Sequence, residues 1–189
     1  MQKITGIALV IGSVIFLIAA FSPVSRIYGI SDGAKRLGII LQERKAWELS
    51  QLLFAAGALA VAAGMVLFYF SYRDTGSGIW ALSGALALAA GACFLAWHCY
   101  LRGLDPQAFV SGNLPGWHFM SYTLLTQAGL IAIGFAVLST GLPGWTGWML
   151  AGGSFLFLLA YVIFKDVPPF FYYLLTLVAG VVVLRAGFS

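Results

Sequence analysis

Charge is what this sequence has least of. Only 8% of its 189 residues are Asp, Glu, Lys or Arg, against about 25% in ordinary soluble proteins. Meanwhile 61% are apolar, and mean hydropathy is +0.97. A folded soluble domain leaves more than half its surface exposed and could not hide so much apolar area. A soluble enzyme and a disordered chain are therefore set aside. Ten basic against six acidic residues leave a net charge of +4, which points to neither nucleic acid nor an acidic substrate as partner. Cysteine is nearly missing too. Cys93 and Cys99 are six apart in one predicted helix, so they face different ways and cannot bridge. There is no C-x-x-C pair and no disulfide framework.

Alternating strands of about ten residues, the mark of a membrane barrel, are also lacking. Long apolar runs are present instead. Each crossing of hydrocarbon needs about 20 apolar residues in a helix that pairs its own backbone. Six runs qualify: residues 4–22, 49–70, 78–101, 117–139, 147–164 and 168–187. The fold class is all-α: a polytopic membrane protein with six transmembrane helices in one bundle, a single domain over 1–189. The first run exceeds a signal-peptide core of about 7–15 residues, and a cut after Ser22 would leave Pro23 first. It reads as a span.

Turn chemistry punctuates the runs. Ser22-Pro23, Asp74-Thr75-Gly76-Ser77-Gly78 and Gly141-Leu142-Pro143-Gly144 mark breaks, and Asp166 with Pro168-Pro169 marks a helix start. Residues 23–48 carry five basic side chains and predict an interfacial helix from about Asp32, with Leu37, Ile40, Leu41 and Trp47 on one face. Asp105-Pro106 reads as an N-cap followed by proline at N1, so a short helix is expected there.

Lys3, Arg73 and Arg185 fall on one side of the predicted bundle. Arg26, Lys35, Arg36, Arg44, Lys45, Arg102 and Lys165 fall on the other. Basic residues stay cytoplasmic. The expectation is a multi-pass cell-membrane protein with loop 23–48 inside and both termini outside.

A duplicated hairpin is faintly visible. Leu52-Leu53, Ala56-Gly57 and Ala60 resemble Leu124-Leu125, Ala128-Gly129 and Ala132; Trp80-Ala81-Leu82-Ser83-Gly84 resembles Trp148-Met149-Leu150-Ala151-Gly152. Small-residue ridges at Ala56, Ala60 and Gly64, and at Ala85 and Ala89, predict close helix packing. They put the second and third spans at the centre of the bundle, with the Phe-rich fifth and sixth outside.

The spans hold no Asp, Glu, Lys or Arg except Arg185, near the end of the last. Ion-coupled transporters and intramembrane hydrolases ordinarily place such groups at depth. Two other features could carry chemistry. His98 ends one span and His118 opens the next, so both imidazoles lie near one membrane face. Two neutral imidazoles could ligate a haem iron or a metal, although Trp97, Tyr100, Trp117 and Tyr122 make an interfacial belt the simpler reading. Gln127, with Thr123, Thr126 and Thr176, is the deepest polar group. It could bind a ligand, or hydrogen-bond between helices. Arg102 with Asp105, Lys165 with Asp166 and Arg73 with Asp74 read as exposed pairs. Arg26, Lys35 and Arg36 form a candidate phosphate-headgroup site.

The turn Leu142-Pro143-Gly144-Trp145-Thr146-Gly147-Trp148 resembles the L-P-x-W-x-G-W pattern of some uncharacterised bacterial six-helix membrane proteins. That resemblance implies topology and no activity. The functional expectation is a non-catalytic protein, either a subunit beside other membrane proteins (or another copy of itself) or a binder of a small apolar or lipid-like ligand. The bilayer is the expected partner. The alternatives are a haem- or metal-dependent redox protein using His98 and His118, and a small-solute permease.

Overall fold

Proline, glycine and capping aspartate set where several of the helices begin and end. The computed structural model describes residues 1–164 and 167–188, and every regular element among them is helical. In chain order these are α1 (Gln2–Ala20), a 3-10 helix (Pro23–Gly29), α2 (Gly33–Gln42), α3 (Arg44–Tyr72), α4 (Gly78–Leu104), α5 (Pro106–Val110), α6 (Trp117–Leu138), α7 (Gly144–Phe164) and α8 (Phe170–Ala186). The expected Lys165–Asp166 pair lies outside the described residues.

Both aspartate caps form where the sequence puts them. The Asp32 carboxylate accepts the N–H groups of Ala34 and Lys35 and starts α2. Asp105 accepts from Ala108 N–H at 2.8 Å and starts α5, with Pro106 at N1 where its missing donor costs nothing. Asp105 is thus occupied at the cap and not paired with Arg102. The Arg73–Asp74 pair does form, at 3.7 Å. Between α3 and α4, Thr75 and Gly76 leave helical geometry, Gly76 at φ 75°. A left-handed residue there folds the chain back, and glycine adopts it without a Cβ clash.

Four stretches are long and apolar enough to cross a membrane: Gln2–Ala20, Arg44–Leu104, Trp117–Leu138 and Gly144–Phe164. The second is the folded-back pair α3 and α4. The expected last run, 168–187, shortens to the 17 residues of α8, because Pro168-Pro169 stands outside the helix and the first regular turn begins at Phe170. The interfacial helix also ends early. Glu43 breaks it, so Trp47 belongs to α3, while Leu41 stays exposed.

The six long helices close a ring in the order α1, α3, α4, α6, α7, α8 and back to α1, with the α7–α8 seam the lightest. This differs from the expectation that α3 and α4 are central, since each long helix has two neighbours and side chains fill the middle. Glycines set the close approaches. A Cβ on Gly57 would lie 2.7 Å from Phe16 N and 2.8 Å from the Gly12 carbonyl oxygen on α1. On Gly129 it would lie 3.0 Å from the Gly84 carbonyl oxygen on α4. Gly57 and Gly129 are equivalent positions of the faint repeat. The predicted ridge of α3 packs on α1 too, since a Cβ on Gly12 would meet that of Ala60. Hydroxyls add two ties, Ser13 to Thr176 at 2.8 Å and Thr5 to Ser71 at 3.3 Å.

Candidate functional site: a capped vestibule

At the end of the ring where most basic residues lie, the short elements fold over as a cap. Val24, Ile27, Ile40 and Trp47 are buried together, with Phe109 packed against them. Trp47 stacks on Phe109, centroids 5.4 Å apart, and its indole N–H donates to the Arg102 carbonyl at 3.1 Å. Arg44 donates to the Gly103 carbonyl at 2.6 Å. Arg26 pairs with Glu43. These contacts tie α3 to the end of α4 and hold α5 and the 3-10 helix against the start of α3.

Beneath the cap is a cavity of about 530 Å³, within the usual range for small-molecule sites. Its deep wall is apolar, with Phe16 from α1, Phe54 from α3 and Leu95 from α4, and nearer the cap it is lined by Phe119 from the first turn of α6 and Phe170 from the start of α8. Its outer rim is polar, with Ser25, Tyr28, Arg36 and Arg102. Leu95 and Arg102 share α4 two turns apart, so the cavity is about 10 Å deep at 1.5 Å per residue.

The rim is positively charged. The Arg102 guanidinium sits 4.5 Å from the Phe109 centroid and 5.7 Å from that of Phe119, and donates to the Tyr28 hydroxyl at 3.3 Å. The Arg36 guanidinium lies 5.1 Å from the same Phe109 ring. Cation–π contact stabilises such stacking by about 0.5–2 kcal/mol. Beyond the Arg102 bond to Tyr28, fork donors remain unused, and the Nε of both arginines is buried without a hydrogen-bond acceptor. No carboxylate is among the described lining residues. The three ion pairs of the described residues involve other arginines: Arg26, Arg44 and Arg73.

The sequence-predicted site residues are spread over three places. His98 and His118 do come together, ring centroids 6.4 Å apart. Trp117 covers the His118 ring at 3.8 Å, and Phe119 stands 5.7 Å from that of His98. The Nδ1 of His118 is within hydrogen-bond distance of the Pro115 carbonyl, while that of His98 is buried without a partner. Neither ring borders the vestibule, and no group of three or more His, Cys, Asp or Glu able to hold a metal occurs among the described residues.

Thr126 and Thr176 meet at the ring's middle. With Tyr122, Tyr172 and Tyr173 they border a void of about 10 Å³, room for roughly one water. Tyr122 donates to the Tyr173 hydroxyl at 3.3 Å, and Tyr173 stacks on Phe16. This aromatic floor separates the void from the vestibule. Gln127 and Thr123 border neither space. The Gln127 amide is fully buried with both polar atoms unpartnered, and the Thr123 hydroxyl likewise has no partner.

Sequence reasoning missed Tyr28, Phe109 and the inward turn of Arg102. One signal was available. Five basic residues lie in 23–48 and another in 102–116, more than the acids there can pair. No known protein family, curated protein or solved structure matches the chain.

Proposed function

We propose that the chain crosses a membrane six times and holds a small lipid-like ligand in the vestibule, as a non-catalytic binder. The capped cavity carries this reading, taken with its depth relative to the exposed aromatics. On α4, Trp80 and Trp97 both stand on the outer surface. They are about 26 Å apart at 1.5 Å per residue, close to the thickness of bilayer hydrocarbon. Trp145 and Trp148 are exposed near the Trp80 end, Tyr100 and Trp117 near the Trp97 end. Amphipathic rings mark the two membrane–water boundaries. On that frame Arg102 lies about 7 Å outside the Trp97 level, at headgroup depth, while Phe16, Phe54 and Leu95 face inward at acyl-chain depth. The Lys/Arg distribution supports the orientation with residues 23–48 in the cytoplasm and the termini outside.

Native mass spectrometry of the purified protein tests the reading. A retained small amphiphile is expected on the wild type and lost on the cavity-filling variants Leu95→Trp and Ala20→Trp. Retention by both folded variants would refute the vestibule as its site. An absorption spectrum with a Soret band would instead favour the paired imidazoles of His98 and His118 as haem ligands.

A further inference from the structure

We propose that Arg36 and Arg102 select an anionic headgroup, so that the vestibule takes a single-chain amphiphile ending in a carboxylate or a phosphate ester. The proposal rests on the vestibule being a lipid-like binding site and adds the chemistry of recognition. The Arg36 and Arg102 guanidiniums lie 5.1 and 4.5 Å from the single Phe109 centroid, so they are no more than about 10 Å apart. Like charges brought together in a partly desolvated space repel unless an anion sits with them. No acidic side chain of the described lining supplies it.

The donors point the same way. Arginine offers five N–H groups in a fixed fork that matches carboxylate and phosphate oxygens two at a time. Arg102 uses one, to Tyr28, and among the described residues Arg36 makes no side-chain hydrogen bond. Each has a buried Nε without an acceptor. A cationic N–H withdrawn from water and left unpaired is costly, even where the rest of the fork stays partly exposed. Phe109 holds both guanidiniums within cation–π range, which leaves their unused N–H groups for a ligand. The Tyr28 hydroxyl can donate to the same anion while accepting from Arg102. Below the rim the wall turns wholly apolar at Leu95, Phe54 and Phe16, which suits an alkyl chain and no second charge.

The test uses the full chain in lipid nanodiscs and four probes: decanoate, decyl phosphate, decanol and inorganic phosphate. Decanoate and decyl phosphate are expected to bind about tenfold or more tighter than decanol, given the gain from charge-assisted pairing. The double variant Arg36→Gln/Arg102→Gln should lose that preference while decanol affinity stays within about twofold. Arg36→Lys/Arg102→Lys should keep part of it, because the charge remains and the fork is lost. If the glutamine variant does not fold, the probe series on the wild type and the lysine variant decides. Decanol binding as tightly as decanoate overturns headgroup selection and leaves the lipid site standing. Inorganic phosphate binding as tightly as decyl phosphate overturns the amphiphile in favour of a free anion. Failure of every alkyl probe removes both the selection and the lipid site.

Discussion

At the scale of single residues, two kinds of buried polar group behave differently. Ser13, Thr176, Tyr122 and Tyr173 are tied to one another or to backbone, whereas the Gln127 amide has no partner. A buried amide without a hydrogen bond is destabilising by about 1–3 kcal/mol. Gln127→Met is therefore expected to leave stability unchanged or raise it by about 1 kcal/mol, read from the unfolding midpoint in mixed micelles. A fall of that size would show that the amide grips something. Tyr122→Phe should go the other way, losing about 1 kcal/mol with the hydroxyl pair. Individual roles were the least legible part of the sequence. Arg102 follows Trp97 and Tyr100 and reads as a loop-end charge beside Asp105. What turns it inward is the competition for Asp105, whose carboxylate caps α5, and the placement of Phe109 by that same short helix. Neither fact belongs to Arg102's own neighbourhood in the chain.

At the scale of elements, close helix contact depends on particular missing side chains. Gly12→Ala would put a methyl 2.7 Å from Val61 N of α3. Backbone cannot move aside as a flexible side-chain tip can, so the α1–α3 seam should lose about 1–3 kcal/mol, visible as a lower thermal midpoint. Gly76→Ala meets nothing within 4 Å. Its cost is conformational only, about 1–2 kcal/mol for a left-handed alanine. Where the elements begin and end was readable, because Asp32, Asp105, Pro106 and Gly76 act within one turn of their own positions. Which helix meets which was not. Apolar residues surround these helices on every side, so no face declares its partner, and pairing is decided by whether a glycine such as Gly57 finds another opposite.

At the scale of the whole molecule, sidedness is the strongest consequence of the charge distribution. In cells, Cys substituted for Asp74 should react with a membrane-impermeant maleimide added outside, and Cys substituted for Gln107 should not. Native Cys99 is buried, and Cys93 is exposed on the middle of α4, at hydrocarbon depth in the proposed bilayer, so neither should add a background. Reversed labelling would place the vestibule on the opposite face.

The ring order also has a temporal meaning during synthesis. Helices adjacent around the ring are successive in the chain everywhere except at α1 and α8. Four seams can thus assemble as the ribosome advances, but the two that α8 makes wait for that final helix. On the six-crossing reading, until then Gly6, Ser13 and Leu9 of α1 would have only lipid beside the surface that Leu184, Thr176 and Gly180 will later cover. A nascent chain stalled before residue 170 would display an unfinished edge to membrane quality control, and its clearance would be fast compared with that of the closed ring.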